Sequence, residues 1–119
     1  MIVGIGVDIV DIARFERSLE RTPRLRERLF TPGERSLPAP SLAARFAAKE
    51  ALIKALGGSD GFRWHDVEIR SDSNRQPSFV TYRVTEKYLF DRDIDRVHVS
   101  LSHDAGAAIA FVIAEKTRG

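Results

Sequence analysis

The 119-residue chain contains no cysteine. That absence excludes a disulfide framework, a thiolate metal site and a thiol nucleophile, and it fits a reducing compartment. No apolar run approaches the roughly 20 residues needed to cross a bilayer. The N-terminus has neither the basic start nor the cleavage site of a secretory leader. The expectation is a cytoplasmic protein with no membrane partner. A large excess of one charge is missing as well: 19 Lys and Arg against 17 Asp and Glu leave +2 at neutral pH. That is too little for coating nucleic acid, and the aromatic–basic interleaving of single-strand binders is absent. Arginine is frequent, which favours an acidic partner or a phosphate ligand. There is no glycine-rich phosphate loop, because Gly4-Ile5-Gly6-Val7-Asp8 lacks the GxGxxG spacing of dinucleotide folds. No histidine pair has metal-ligand spacing. Ser102-His103-Asp104 is contiguous, so its side chains diverge rather than converge as a triad. No repeat, low-complexity tract or linker divides the chain, which reads as one domain, 1–119.

What is present is organised around residues 41–58, SLAARFAAKEALIKALGG, the longest helical stretch without an interior Gly or Pro. Ser41 is placed to cap its start and Gly57–Gly58 to end it. At about 100° per residue, Ala44, Ala48, Ala51 and Ala55 fall on one narrow stripe that a neighbouring element can approach closely. Leu52, Ile53 and Leu56 add bulk beside it. Glu50 and Lys54 read either as an i,i+4 surface pair or as part of a site. Arg45 over Lys49 is a pair of like charges that repel mildly. It reads either as a solvated edge or as one side of an anion site.

Residues 2–10, IVGIGVDIV, read as a buried strand. Val3, Ile5, Val7 and Ile9 point one way, and Gly4, Gly6 and Asp8 share the other face. The glycines invite a closely packed helix. Asp8 is either leaving the sheet or a carboxylate held open to a ligand or metal. Asp11 reads as the N-cap of a following helix with Ile12, Phe15 and Leu19 inward. Arg14 lies in its first turn, against the helix dipole, where a nearby anion would suit it. Thr31, Pro32 and Glu34 form a capping box, a structural role that leaves no chemistry on Glu34. Pro38 and Pro40 break the chain before the central helix. Further on, 66–70 is a strand with Val67 and Ile69 inward, 71–77 a turn, and Phe79, Tyr82 and Val84 mark a second strand. Residues 83–92 are a helix candidate with Val84, Tyr88 and Leu89 apolar. In 96–104, Val97, Val99 and Leu101 alternate with His98, Ser100 and Ser102. A turn at 104–106 then leads into the apolar strand 107–115, giving an antiparallel hairpin. The fold class is therefore α+β: one N-terminal strand, about three helices, then mostly antiparallel strands with one further helix.

The chemistry left to place is two carboxylates on rigid elements, Asp8 and Glu50, and the cations Arg14, Arg45, Lys49 and Lys54. Hard oxygen ligands with few protein contributors suit Mg²⁺, which keeps waters and takes phosphate oxygens. The cations suit a polyphosphate. Several segments in order, GVDIV with Arg14 four residues beyond it, FTPGE at 30–34, RFAAKEALIKA at 45–55, HVSLSHD at 98–104 and the Ala-rich last strand, together resemble the holo-(acyl carrier protein) synthase family. That is the short class of 4′-phosphopantetheinyl transferase, and the likeness spans nearly the whole chain.

The resemblance implies the 4′-phosphopantetheinyl transferase fold and transfer of phosphopantetheine from coenzyme A to a serine of an acyl carrier protein. It further implies 3′,5′-ADP as the other product, Mg²⁺ as cofactor and a role in fatty acid biosynthesis. By the same resemblance Asp8 and Glu50 would hold the metal. Lys54 would steady the pyrophosphate or protonate the leaving phosphate. Arg45, Lys49 and His103 would contact the nucleotide and phosphates of coenzyme A, and Arg14 would face the acidic carrier. For the base that takes the serine proton, Asp8, Glu50, and Glu50 through a metal-bound water all stand. A homotrimer with sites at subunit interfaces is implied too. One departure stands out: Asn74-Arg75-Gln76-Pro77 puts Arg75 where the family has the Gly of Gly-(Lys/Arg)-Pro. That bears on nucleotide contacts from this turn and not on the metal. Two other readings compete, a binding module whose basic helix docks an acidic protein or RNA, and a hydrolase of nucleotide pyrophosphates. Mg²⁺-dependent coenzyme A binding separates the first, and turnover of coenzyme A without a carrier protein marks the second.

Overall fold

A computed structural model describes residues 1–118. Strand β1 (Ile2–Asp11) is followed by helices α1 (Ile12–Arg21), α2 (Leu25–Leu29) and α3 (Ala39–Ala55). A 3₁₀ turn (Trp64–Asp66) leads to β2 (Val67–Ser71), β3 (Pro77–Thr81), α4 (Arg83–Asp91), β4 (Arg96–Asp104) and β5 (Ala107–Glu115). One sheet has the order β1-β5-β4 and the other pairs β2 with β3, all antiparallel. This is the α+β arrangement the sequence predicts.

Local chemistry sets most boundaries. The Asp11 carboxylate accepts from the Arg14 N–H at 2.8 Å, capping α1 as expected. At the end of α3, Gly57 N–H donates to Lys54 C=O and Gly58 N–H to Ile53 C=O. With Gly57 at φ +80°, this is the paired closure of a Schellman motif. The other end differs from expectation: α3 begins at Ala39, with Pro38 as N-cap and no side-chain cap. Pro40 therefore belongs to the first turn, where the N–H groups that proline lacks have no partner in any case. Residues 31–34 form a turn rather than a helix start, although Glu34 does reach back to the Thr31 N–H at 3.0 Å.

The core is α3 laid across the three-stranded sheet. Ala47, Ala48, Ala51, Leu42 and Leu52 have no exposed surface, and neither do Ala108, Ala110, Val112 and Ala114 of β5. Small residues on both layers let the backbones come together. A Cβ at Gly4 would lie 1.8 Å from the Ala55 carbonyl oxygen, and one at Gly6 1.8 Å from that of Ala51. The glycine face of β1 thus packs the close helix its glycines invite, while the reading of residues 2–10 as a buried strand is corrected on the apolar face, which no element of the chain covers. Ile5, Val7 and Ile9 are 57%, 52% and 65% exposed. In α4 the inward residues are Thr85 and Leu89, while Val84 faces out.

A second hub joins loop, helix and small sheet. The fully buried Lys49 ammonium donates to Glu34 at 2.7 Å, Leu29 C=O at 2.9 Å and Trp64 C=O at 3.2 Å. The other Glu34 oxygen accepts from the Ile69 N–H at 2.9 Å, so β2 hangs on this carboxylate. Glu34 is structural, in line with its sequence reading.

Candidate active site

The register of α3 on β1 decides which side chains meet. Gly4 sits against Ala55 and Gly6 against Ala51. Four helical residues rise about 6 Å and two strand residues about 6.6 Å, so the match continues one step further to Asp8. That step sets Asp8, the first carboxylate of the strand, opposite Ala47, along the flank of α3 from which Glu50 and Lys54 approach it. The Lys54 ammonium donates to Asp8 Oδ1 at 3.1 Å and to Val7 C=O at 3.0 Å. Lys54 reaches across to the strand, and among the described residues it makes no ion pair with Glu50. The bland i,i+4 surface pair is not what forms.

Burial raises the Glu50 carboxyl above its ordinary value, and the negative Asp8 adds to this while Lys54 opposes it. Two neighbouring carboxylates share a single ammonium, which sits on Asp8 and leaves Glu50 without an ion pair among the described residues. The pair opens into a cleft of about 620 Å³ lined also by Arg14, Phe46 and Trp64. Phe15 stacks on Phe46 at 5.0 Å and Phe46 on Trp64 at 5.8 Å, giving the cleft a continuous aromatic floor. Sequence reasoning missed Phe46 and Trp64, because only the fold brings residues 15, 46 and 64 into one stack.

A second cleft, of about 340 Å³, gathers Arg45, His103 and Arg75 with the hydroxyls of Ser41 and Ser71. No carboxylate lines it. The Arg45 Nε is buried without a hydrogen-bond partner among the described residues. Burial lowers its guanidinium, opposed by Glu34 and Glu68. Arg45 and Glu50 lie five residues apart, about 140° around the helix. The two clefts therefore open on different flanks of α3.

Lys49 joins neither cleft. Its three N–H donors are spent on Glu34 and two carbonyls inside the core, so the expectation of a phosphate contact there is corrected. Burial lowers its ammonium, and Glu34 opposes that. A third groove, of about 360 Å³ beside α4, includes none of the predicted site residues.

A family model described as the 4′-phosphopantetheinyl transferase superfamily matches residues 4–112. The chain belongs to this superfamily. The superfamily likeness runs the full length of individual relatives. A holo-[acyl-carrier-protein] synthase of Leifsonia xyli is 66% identical over 116 residues, covering 98% of each chain. The crystal structure of the holo-[acyl-carrier-protein] synthase from Neisseria meningitidis is 35% identical. It superposes with a TM-score of 0.91 over 98% of this chain and 100% of that one. The Bacillus anthracis holo-(acyl-carrier-protein) synthase in complex with CoA (3′,5′-ADP) is 34% identical, with a TM-score of 0.81 over 98% and 99% of the two chains.

Proposed function

We propose that the protein transfers 4′-phosphopantetheine from coenzyme A to a serine of apo acyl carrier protein, releasing 3′,5′-ADP, in support of fatty acid biosynthesis. The superfamily match and the full-length likeness to holo-acyl-carrier-protein synthases support the reading, as does the relative solved with coenzyme A. The observation that carries it is the pair of Asp8 and Glu50 lining an aromatic-floored cleft, with Lys54 held on Asp8 beside it.

Among the described residues no three His, Cys, Asp or Glu side chains converge, so no all-protein metal cage is built. A pair of neighbouring carboxylates offset only in part by Lys54 fits Mg²⁺, which takes one or two carboxylates and completes its shell with water and phosphate oxygens. Asp8 and Glu50 would hold the ion. Bound there, it would supply positive charge that neutralises a pyrophosphate.

The remaining roles fall to the chain's own side chains. Serine oxygen bonds to the β-phosphorus of coenzyme A as the bridging P–O bond breaks, and the serine proton passes to one of the two carboxylates, directly or through water. Lys54, 53% exposed and anchored on Asp8, reaches the pyrophosphate and offers a proton to the leaving phosphate. Arg45 and His103 take phosphate oxygens in the acid-free cleft. Arg14 is exposed at the rim of the carboxylate cleft, where an acidic carrier would dock. The neutral pantetheine arm suits the floor of Phe46 and Trp64.

The assembly follows from the same reading. Val7 pairs with Phe111 and Ile9 with Ile109 across β1 and β5. With Ile5, these side chains leave a contiguous apolar outer face on the sheet. A homotrimer would cover that face. It would also let a ligand engage the carboxylates of one copy and the cation cleft of its neighbour. No described helix is long and apolar enough to cross a membrane, and the cytoplasm, where free acyl carrier proteins and coenzyme A meet, is the proposed location.

The test is mass spectrometry of apo acyl carrier protein incubated with this chain, coenzyme A and Mg²⁺, beside EDTA and Glu50→Ala controls. A gain of one phosphopantetheine on the carrier, lost in both controls, is the expected result. A folded chain that consumes coenzyme A without a carrier would establish a pyrophosphate hydrolase instead.

A further inference from the structure

The turn between β2 and β3 is held by one side chain. Asp72 Oδ1 accepts from the N–H groups of Asn74 at 2.8 Å and Gln76 at 2.9 Å. The Asp72 carbonyl accepts from the Arg75 N–H at 2.9 Å, and the Gln76 carbonyl from the Asp72 N–H at 3.1 Å. These bonds fix Arg75 at φ +61°. A left-handed position is the place where glycine meets no penalty and a long side chain does. The chain nevertheless keeps an arginine there.

The position of that arginine supplies a reason. Arg75 lines the same cleft as Arg45 and His103. Among the described residues its guanidinium makes no ion pair and no hydrogen bond, although seven ion pairs form elsewhere in the chain. Two arginines, a histidine and two serine hydroxyls surround a space without a carboxylate, and one of the arginines keeps a buried N–H unpartnered. That set is complementary to a compact, doubly charged oxyanion, and a guanidinium fork fits a phosphate monoester better than a single bridging oxygen.

We propose that Arg75 is a specificity-determining residue that contacts the 3′-phosphate of coenzyme A and of 3′,5′-ADP, joining Arg45 and His103 in the acid-free cleft. The inference rests on the transferase reading. That reading assigns the pyrophosphate to Asp8, Glu50 and Lys54, and leaves one other anionic group on coenzyme A to account for, the 3′-phosphomonoester. The second cleft, on the other flank of α3, is the site whose chemistry matches it.

The experiment is calorimetric titration of coenzyme A and of dephospho-coenzyme A, which lacks only the 3′-phosphate, into the wild type, Arg75→Gly and Arg75→Gln in the presence of Mg²⁺. The wild type is expected to prefer coenzyme A by well over about tenfold, since each charge-assisted contact is worth roughly that much and three side chains share the phosphate. Both variants should lose about tenfold of that preference, the share of one charge-assisted contact, with Arg45 and His103 keeping the remainder and affinity for dephospho-coenzyme A unchanged. Arg75→Gly also removes the left-handed strain, so misfolding cannot account for its loss, and Arg75→Gln keeps the strain while removing the charge. A preference undiminished in both variants overturns the proposal. So does an equal weakening for the two ligands, which would place Arg75 on another part of the nucleotide. A wild type that binds neither ligand sinks the transferase reading itself, and this inference with it, and that outcome is visible before any variant is made.

Discussion

Lys49→Met separates two accounts of the same residue. Its spacing from Arg45 suggests a phosphate contact, whereas the fold buries its ammonium against Glu34, Leu29 C=O and Trp64 C=O. Methionine keeps the length of the stem and removes all three donors. Glu34, 1% exposed, would then hold an uncompensated charge with only Thr31 and the Ile69 N–H to stabilise it. Removing one member of a buried ion pair costs about 3–5 kcal/mol. A domain is held together by roughly 5–15 kcal/mol, so this is a large share of the total. At about 3–5 °C per kcal/mol for a chain of this length, the midpoint should fall on the order of 10–20 °C. Thermal and urea unfolding followed by circular dichroism measure the loss. The double variant Glu34→Leu/Lys49→Met should recover much of it, because an apolar pair leaves no orphan charge. Below the transition, coenzyme A affinity of Lys49→Met should stay within about twofold of wild type, under roughly 0.5 kcal/mol. Wild-type stability combined with strongly weakened coenzyme A binding would refute the buried-pair argument and return Lys49 to the ligand.

Three further outcomes are expected. Glu50 is held above its ordinary value of 4.5 by burial and by Asp8, so the folded chain binds more protons than the unfolded one in the window above that value. Metal-free stability therefore declines as pH rises through this window. Glu50→Gln should flatten the decline and gain up to about 1 kcal/mol at neutral pH, a small gain because the group is partly exposed. Mg²⁺ should raise the wild-type midpoint and leave that of Glu50→Gln unmoved. Gly6→Ala would drive a methyl into the Ala51 carbonyl; a loss of about 1–3 kcal/mol or more by urea titration is expected, and an unchanged midpoint would contradict the contact. Val7→Glu alters only the exposed face of β1. Light scattering should show it as a folded monomer without transferase activity if copies pack through that face, and a trimer mass would exclude this face as the interface.

Periodicity alone located several elements. The Asp11 cap, the alanine stripe of 44, 48, 51 and 55, the glycine face of β1 and the hairpin of β4 and β5 are local patterns of period 3.6 or 2, and the fold reproduces them. The meeting of Asp8 with the Glu50–Lys54 turn follows from the glycine face and the alanine stripe once they are stacked. What the sequence could not convey was non-local. Lys49 and Glu34 are fifteen residues apart and look like two surface charges until a loop folds over them. Alternation separated the two faces of β1 and the glycines marked the one a helix covers, but nothing local showed that Ile5, Val7 and Ile9 on the other face stay exposed on the single chain. In α4, where Thr85 is inward and Val84 outward, hydrophobicity pointed to the wrong neighbour.

The contact of Gly4 and Gly6 with the carbonyls of Ala55 and Ala51 also acts as a calliper. Asp8 rides on one jaw and Glu50 on the other, and the jaws meet backbone to backbone with no side chain between them. Side chains can change rotamer and so adjust a gap; peptide groups in contact cannot. The span between the two carboxylates is therefore gauged by atoms that take no part in chemistry, and any residue larger than glycine at position 6 would open the gauge while leaving every charged group in the cleft intact.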